Sequence, residues 1–229
     1  MTATTDRSCL SARGVTRSFG TTNALRGVDV DVARGEVLAV MGPSGSGKST
    51  LLHCLAGILR PDAGEIWFDG ARIDTRSERA RTELRRQRFG FVFQFGQLVP
   101  ELTAVENVAL PMLLSGVARR EAIATAGAWF GRLRLDELET RRPGELSGGE
   151  AQRVALARAM VGHPDVVFAD EPTGSLDSLA GELVMDLLVD TARLEGTTVV
   201  LVTHEPRVAA FADREIVVRD GRIAVPVAS

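Results

Sequence analysis

The sequence predicts an α/β protein in which a core of alternating strands and helices is interrupted by a mostly helical insertion. Three observations carry this. Short apolar runs bounded by glycine recur through the first 94 residues. The texture turns helical from about Leu102 to Met160, and strand–helix alternation then resumes. Residues 1–94 and 161–229 are therefore expected to form the α/β core of a single domain, with 95–160 as the helical subdomain.

Taken in order, "GVDVDVARG" sets Val28, Val30 and Val32 on one face and Asp29 and Asp31 on the other, as in a half-buried strand. "EVLAVM" (Glu36–Met41) is a continuous apolar strand, and "GPSGSGKST" leads from it into the helix "STLLHCLAGIL". "GEIWFDG" (Gly64–Gly70) reads as a short strand between glycines, and Phe89–Phe93 as another. The insertion carries helices in "AVENVALPMLLSG", "ARREAIATAGAWFGRL" and "SGGEAQRVALARAM". After it come the strand "DVVFAD", a helix around Leu179–Leu194, "TTVVLVT", "PRVAAFAD" and "REIVVRDG". In that late helix Leu183, Leu187, Thr191 and Leu194 are expected to share a face with Val184 and Leu188. Repeats, coiled coils and low-complexity segments are lacking.

Of the 229 residues, 45% are hydrophobic and 25% charged, as in ordinary globular proteins. A net charge of -3 gives no support to a nucleic-acid partner. Cys9 and Cys54 lack metal-type spacing and read as reduced cytosolic thiols. "MTATTDRSCLSARG" has no apolar run of the secretory kind. The longest uncharged apolar stretch, Asn107–Ala118, is too short for a bilayer and is broken by Pro111 and Gly116. The chain is not expected to cross a membrane by itself.

Gly42, Pro43, Ser44, Gly45, Ser46, Gly47, Lys48 and Ser49 fit G-x-x-x-x-G-K-[ST] between a strand and a helix, and Thr50 follows as a further nucleotide-binding candidate. Glycines let backbone N–H groups converge on phosphate oxygens, and the helix N-terminus adds positive potential. Lys48 reaches between the outer phosphates, and the Ser49 hydroxyl ligates Mg²⁺. Lys48 is the only lysine among the 27 basic residues, so it marks a place where a compact ammonium fits and a forked guanidinium does not.

Kinases and GTPases share such a loop, so more is needed to select a chemistry. The apolar strand Val166–Ala169 ends in adjacent carboxylates that strand alternation aims at different targets. Asp170 is placed to hold Mg²⁺ through its water shell, and Glu171 to polarise the water attacking the γ-phosphate. In "LSGGEAQRVALARAM", Ser147, Gly148 and Gly149 open a helix with free N–H groups, a hydroxyl and a positive dipole end. One nucleotide is already enclosed by Gly42–Ser49, so this second phosphate site serves a nucleotide on another subunit. Ser147 with Glu150 also reads as a capping box, which is compatible with that role.

Here the chain closely resembles the ATP-binding cassette (ABC) ATPases, whose signature is usually written LSGGQ; Glu150 stands in the last position. The resemblance spans nearly the whole chain. It implies a RecA-like P-loop NTPase core with an N-terminal antiparallel β subdomain and an inserted α-helical subdomain bearing the signature. By the same resemblance Gln94 is the Q-loop glutamine that approaches Mg²⁺ and couples to a transport partner. Ser175, Leu176 and Asp177 match the D-loop that crosses between subunits. His204 matches the switch histidine on the γ-phosphate, whereas His53 and His163 read as structural. Phe19 matches the aromatic residue that stacks on adenine; tyrosine is usual there, but this chain has none.

The resemblance further implies two copies head to tail around two ATP, closing because the γ-phosphate touches both. Separate transmembrane permease subunits would supply the membrane part, docking around Gln94–Leu102. The chain would then be peripheral, on the cytoplasmic face of the membrane. "FGFVFQFGQLVPELTAVENVALPMLLSGV" with "PTGSLDS" looks most like the group serving lipoprotein release, macrolide export, haem export and cell division. That group works by mechanotransmission. A soluble ABC ATPase without a permease shares every nucleotide motif and stands as an alternative. So does a cell-division regulator acting on wall hydrolases.

Overall fold

The computed structural model describes residues 8–224. The absence of a secretory signal is a reading that falls partly on residues 1–7, outside that range. The chain divides into two compact units, one up to Arg85 and from Thr198 onward, the other from Arg86 to Thr197.

In the first unit β1 (Ser8–Phe19) and β2 (Thr22–Ala33) form a long antiparallel hairpin. With β4 (Ala63–Phe68) and β5 (Ala71–Arg72) they make an antiparallel sheet in the order β2-β1-β4-β5. The alternation in β2 is realised: Val28, Val30 and Val32 are buried, Asp29 and Asp31 exposed. Beside this sheet runs β3 (Val37–Met41), parallel to both β8 (Thr198–Val202) and β9 (Arg214–Arg219). β10 (Arg222–Ala224) closes the edge antiparallel to β9. Val37–Val40 and Val199–Val202 are almost fully buried, which is why these strands read as continuous apolar runs. The helices of this unit are α1 (Lys48–Leu55) and the short α7 (Pro206–Ala209). Neither Cys9 nor Cys54 forms a disulfide among the described residues, and burial pushes the Cys54 thiol up to about 12.

α2 (Glu78–Arg88) carries the chain into the second unit. It escaped the sequence reading because it has no apolar stripe. Its order comes instead from Glu78, which pairs with both Arg81 and Arg85.

In the second unit β6 (Phe89–Phe93) and β7 (Val166–Asp170) are parallel, with Phe93 opposite Asp170. Around them pack α3 (Ala104–Leu114), α4 (Arg119–Arg132), α5 (Gly148–Met160) and α6 (Ser178–Glu195). Buried Asn107 donates from Nδ2 to the carbonyls of Val99, Leu102 and Thr103 and accepts from Val99 N–H, fixing the backbone before α3. One expectation fails in α6: Leu194 is 80% exposed. The buried stripe runs Gly181, Val184, Met185, Leu188, Thr191 and Ala192. The next stripe position is Glu195, whose carboxylate is taken by Arg132 and His163 at 2.6 and 2.8 Å, so Leu194 is turned outward. Among the described residues no helix is long and apolar enough to cross a membrane.

Candidate nucleotide site

In the first unit, β3 delivers the chain into the Gly42–Thr50 loop, and glycine is required there for steric reasons. A Cβ on Gly42 (φ 143°) would lie 2.1 Å from the Val218 carbonyl oxygen, and one on Gly47 (φ 108°) 2.3 Å from that of Ala24. The loop is closed by Ser46 N–H on the Pro43 carbonyl, and anchored by Gly221 N–H on the Ser46 carbonyl. Gly47 caps α1 without any side chain, and the first turn of α1 has no acid, so its positive end is not neutralised there. Lys48 is only 7% exposed. Its ammonium donates to the carbonyls of Gly42 and Pro43 at 2.9 and 3.0 Å. Among the described residues it has no carboxylate partner. A buried cation held only by carbonyls is costly unless an anion completes it. The Ser46 hydroxyl, buried in the same loop, has no hydrogen-bond partner among the described residues.

The β3–β8 register, Val40 opposite Val202, brings Thr203 and His204 to the sheet edge where Gly42 begins the loop. Thr203 is buried, and its Oγ1 accepts from Glu205 N–H at 3.1 Å, shaping the turn that leaves His204 exposed. Phe19 ends β1 with 47% of its surface exposed. The Arg17 guanidinium sits 5.0 Å from its ring centre and is itself paired with Asp62.

In the second unit, the β6–β7 register places Gln94 and Glu171 side by side, one residue past the strand ends. Glu171 has φ 48°, a left-handed conformation uncommon outside glycine and typical of functional turns. Gly174 makes room for Gln94: a Cβ there would lie 2.9 Å from its Nε2. The Ser175 hydroxyl donates to the Gln94 carbonyl at 2.7 Å. Asp177 is the N-cap of α6, accepting from Ala180 N–H at 3.0 Å.

Ser147 and Glu150 form the expected capping box at the start of α5. Glu150 N–H donates to the Ser147 hydroxyl, and Glu150 Oε2 accepts from Ser147 N–H at 2.7 Å and from its hydroxyl at 2.8 Å. These bonds, the backbone one foremost, hold the Glu150 carboxyl below its ordinary pKa. A Cβ on Gly149 would meet the Ala180 methyl at 3.2 Å. Ser147, Gly148, Gly149, Arg153, Ser175 and Asp177 line one cleft of about 300 Å³. The unit thus brings the Ser147–Gly149 helix start together with the Ser175–Asp177 turn. Sequence reasoning missed two polar residues of α5. Gln152 donates to the Phe93 carbonyl, and Arg158 to those of Gly96 and Gln97. The available signal was a polar side chain on an otherwise apolar helix face.

A strand, a glycine-enforced loop around a buried lysine and an uncapped helix define a P-loop nucleotide-binding protein. The ABC transporter family model matches residues 25–174, and the chain belongs to that family. It is 44% identical over 212 residues to the lipoprotein-releasing system ATP-binding protein LolD of Porphyromonas gingivalis, covering 93% of this chain and 97% of that one. LolD 2 of Caulobacter vibrioides is 44% identical over 218 residues, covering 93% and 96%. Among solved structures, the dimeric ATP-binding cassette MJ0796 bound to ADP and phosphate aligns with a TM-score of 0.86 at 38% identity. That match covers 94% of this chain and 97% of that one. A component of a Clostridium perfringens ABC transporter complex aligns with a TM-score of 0.87 at 30% identity, covering 96% and 88%. The chain is an ABC ATPase, with the RecA-like α/β fold and antiparallel β subdomain that the resemblance implied.

Proposed function

We propose that this ATPase pairs head to tail with a second copy around two ATP and drives separate transmembrane permease subunits, in an export or mechanotransmission system of the lipoprotein-release kind. One observation carries the pairing. The chain holds two helix starts suited to phosphate, and the buried, carboxylate-free Lys48 belongs to only one of them. Each nucleotide then lies between Gly42–Thr50 of one copy and Ser147–Gly149, with Asp177 nearby, of the other. The dimeric cassette among the similar structures and the lipoprotein-releasing relatives support this reading.

In the proposed mechanism Lys48 leaves its loop carbonyls for the outer phosphates, and Phe19 presents its ring to adenine. Glu171 orients and deprotonates the attacking water, and His204 contacts the γ-phosphate. Ser49, Asp170 and Gln94 offer a hydroxyl, a carboxylate and an amide oxygen, the hard donors suited to Mg²⁺ alongside nucleotide phosphates and water. Bound there, the ion would neutralise charge on the phosphates.

Residues 1–94 and 161–229 would act as the ATP-binding core and 95–160 as the signature subdomain. The permease would dock around Gln94–Leu102, where Phe95 is 72% exposed. The chain would then sit peripherally on the cytoplasmic face. Light scattering on Glu171→Gln tests the pairing. ATP should convert it to a dimer and ADP should not, and a monomer that stays monomeric with ATP bound would refute it. A membrane partner co-purifying with the chain should carry only a few helices and a large extracytoplasmic domain.

A further inference from the structure

The turn after Gln94 is clasped by a cation. Arg158, in the last turn of α5, donates from Nη2 to the Gly96 carbonyl at 2.6 Å and from Nη1 to the Gln97 carbonyl at 2.8 Å. Among the described residues it has no carboxylate partner. Burial alone lowers its pKa, with no compensating charge. Arg158 is half-buried, and withdrawing a guanidinium even partly from water without a counter-ion has a cost that carbonyls return only in part. The turn is strained at Gln97, a non-glycine residue with φ 49°, next to Gly96 at φ 67°. Their carbonyls each take one arm of the planar guanidinium, a two-donor fork that a lysine at this position would replace with a single point charge.

The same helix holds the other flank. Gln152, 2% exposed, donates to the Phe93 carbonyl at 2.8 Å. With Ser175 on the Gln94 carbonyl, the backbone on both sides of Gln94 is anchored, mostly from α5.

We propose that Arg158 is a positioning residue for Gln94. Its two-carbonyl clasp makes the turn travel with α5, the helix whose first residues would meet the second copy's nucleotide. This rests on the proposed function above. Nucleotide capture at Ser147–Gly149 would thereby set where the Gln94 amide stands, without any contact between Arg158 and the nucleotide.

A double-mutant cycle on the full chain tests it, with wild type, Gln94→Ala, Arg158→Gln and the double variant. Four readouts are taken: turnover with ATP and Mg²⁺, affinity for a fluorescent ATP analogue, thermal unfolding and amide hydrogen exchange over residues 95–98. Arg158→Gln should bind the analogue within about twofold of wild type and lose about tenfold in turnover. Exchange should accelerate in 95–98 while the first turns of α5 keep their protection. The double variant should be no slower than Gln94→Ala. Arg158→Lys, which keeps charge and stem, should fold and still show the faster exchange; it replaces Arg158→Gln in the cycle if the latter unfolds. Additive losses, unchanged exchange, or a harmful Arg158→Gln beside a harmless Gln94→Ala would overturn the proposal. A wild type without ATP turnover would instead refute the hydrolytic reading, and the exchange data would still decide the clasp.

Discussion

The two helix starts proposed to meet phosphate are built in opposite ways. α1 begins on Gly47 with no side-chain cap and no acid, over a buried lysine turned onto its own loop. α5 begins on Ser147 with a complete capping box, and its serine hydroxyl already donates to Glu150. A glycine N-cap costs only about a few tenths of a kcal/mol against serine, and a buried cation without an anion costs more. The first site is therefore built at the expense of the empty protein and, on the proposed function, would be completed by the nucleotide. The second is stable by itself and must exchange one internal hydrogen bond to donate to a phosphate. On the proposed function, the difference teaches that the tight nucleotide grip would belong to Gly42–Thr50, while Ser147–Gly149 would close more weakly and reversibly.

Breaking the first site should have the largest effect. Lys48→Ala should lose roughly a hundredfold or more in ATP turnover, as when a preorganised phosphate donor is removed. Lys48→Arg should recover little, because the enclosed pocket fits the compact group. A fully active arginine variant would remove the argument drawn from the solitary lysine. Glu171→Gln should lose about a hundredfold in turnover while ATP binding, measured by equilibrium dialysis, persists.

Breaking the second site should act more gently on the isolated chain. Ser147→Ala should lower stability by about 1 kcal/mol, seen as a melting point lower by roughly 2–4 °C, and should weaken ATP-driven pairing. The smallest effect concerns Glu150. Its carboxyl titrates below its ordinary value in the folded chain, so its contribution is present above the unfolded pKa and is lost as pH falls through the folded one. Solvent screens this partly exposed group, which leaves about 0.5 kcal/mol or less. Glu150→Gln should thus melt slightly lower at neutral pH and converge with wild type in acid.

What the sequence made legible was local. A strand, a fixed glycine spacing and a helix specify the Gly42–Thr50 loop, and an apolar run ending in two acids specifies the end of β7. Parallel pairing of β6 with β7 then brings Gln94 beside Glu171 at little cost in inference. What stayed hidden was tertiary. The left-handed Glu171 turn and the carbonyls that converge on Arg158 depend on the path of the chain, which no residue type announces. α2 lacked an apolar face altogether, and Leu194 was misjudged because a paired Glu195 holds the inward position.

Complementation tests the central claim, a pocket shared between two copies, most directly. Lys48→Ala and Ser147→Arg, each purified and each inactive, are mixed and assayed for ATP turnover. Head-to-tail pairing predicts recovered activity, because a mixed pair keeps one intact pocket with the lysine of one copy and the serine of the other. If the mixture stayed as inactive as its components while mixed pairs formed, the shared pocket would be contradicted.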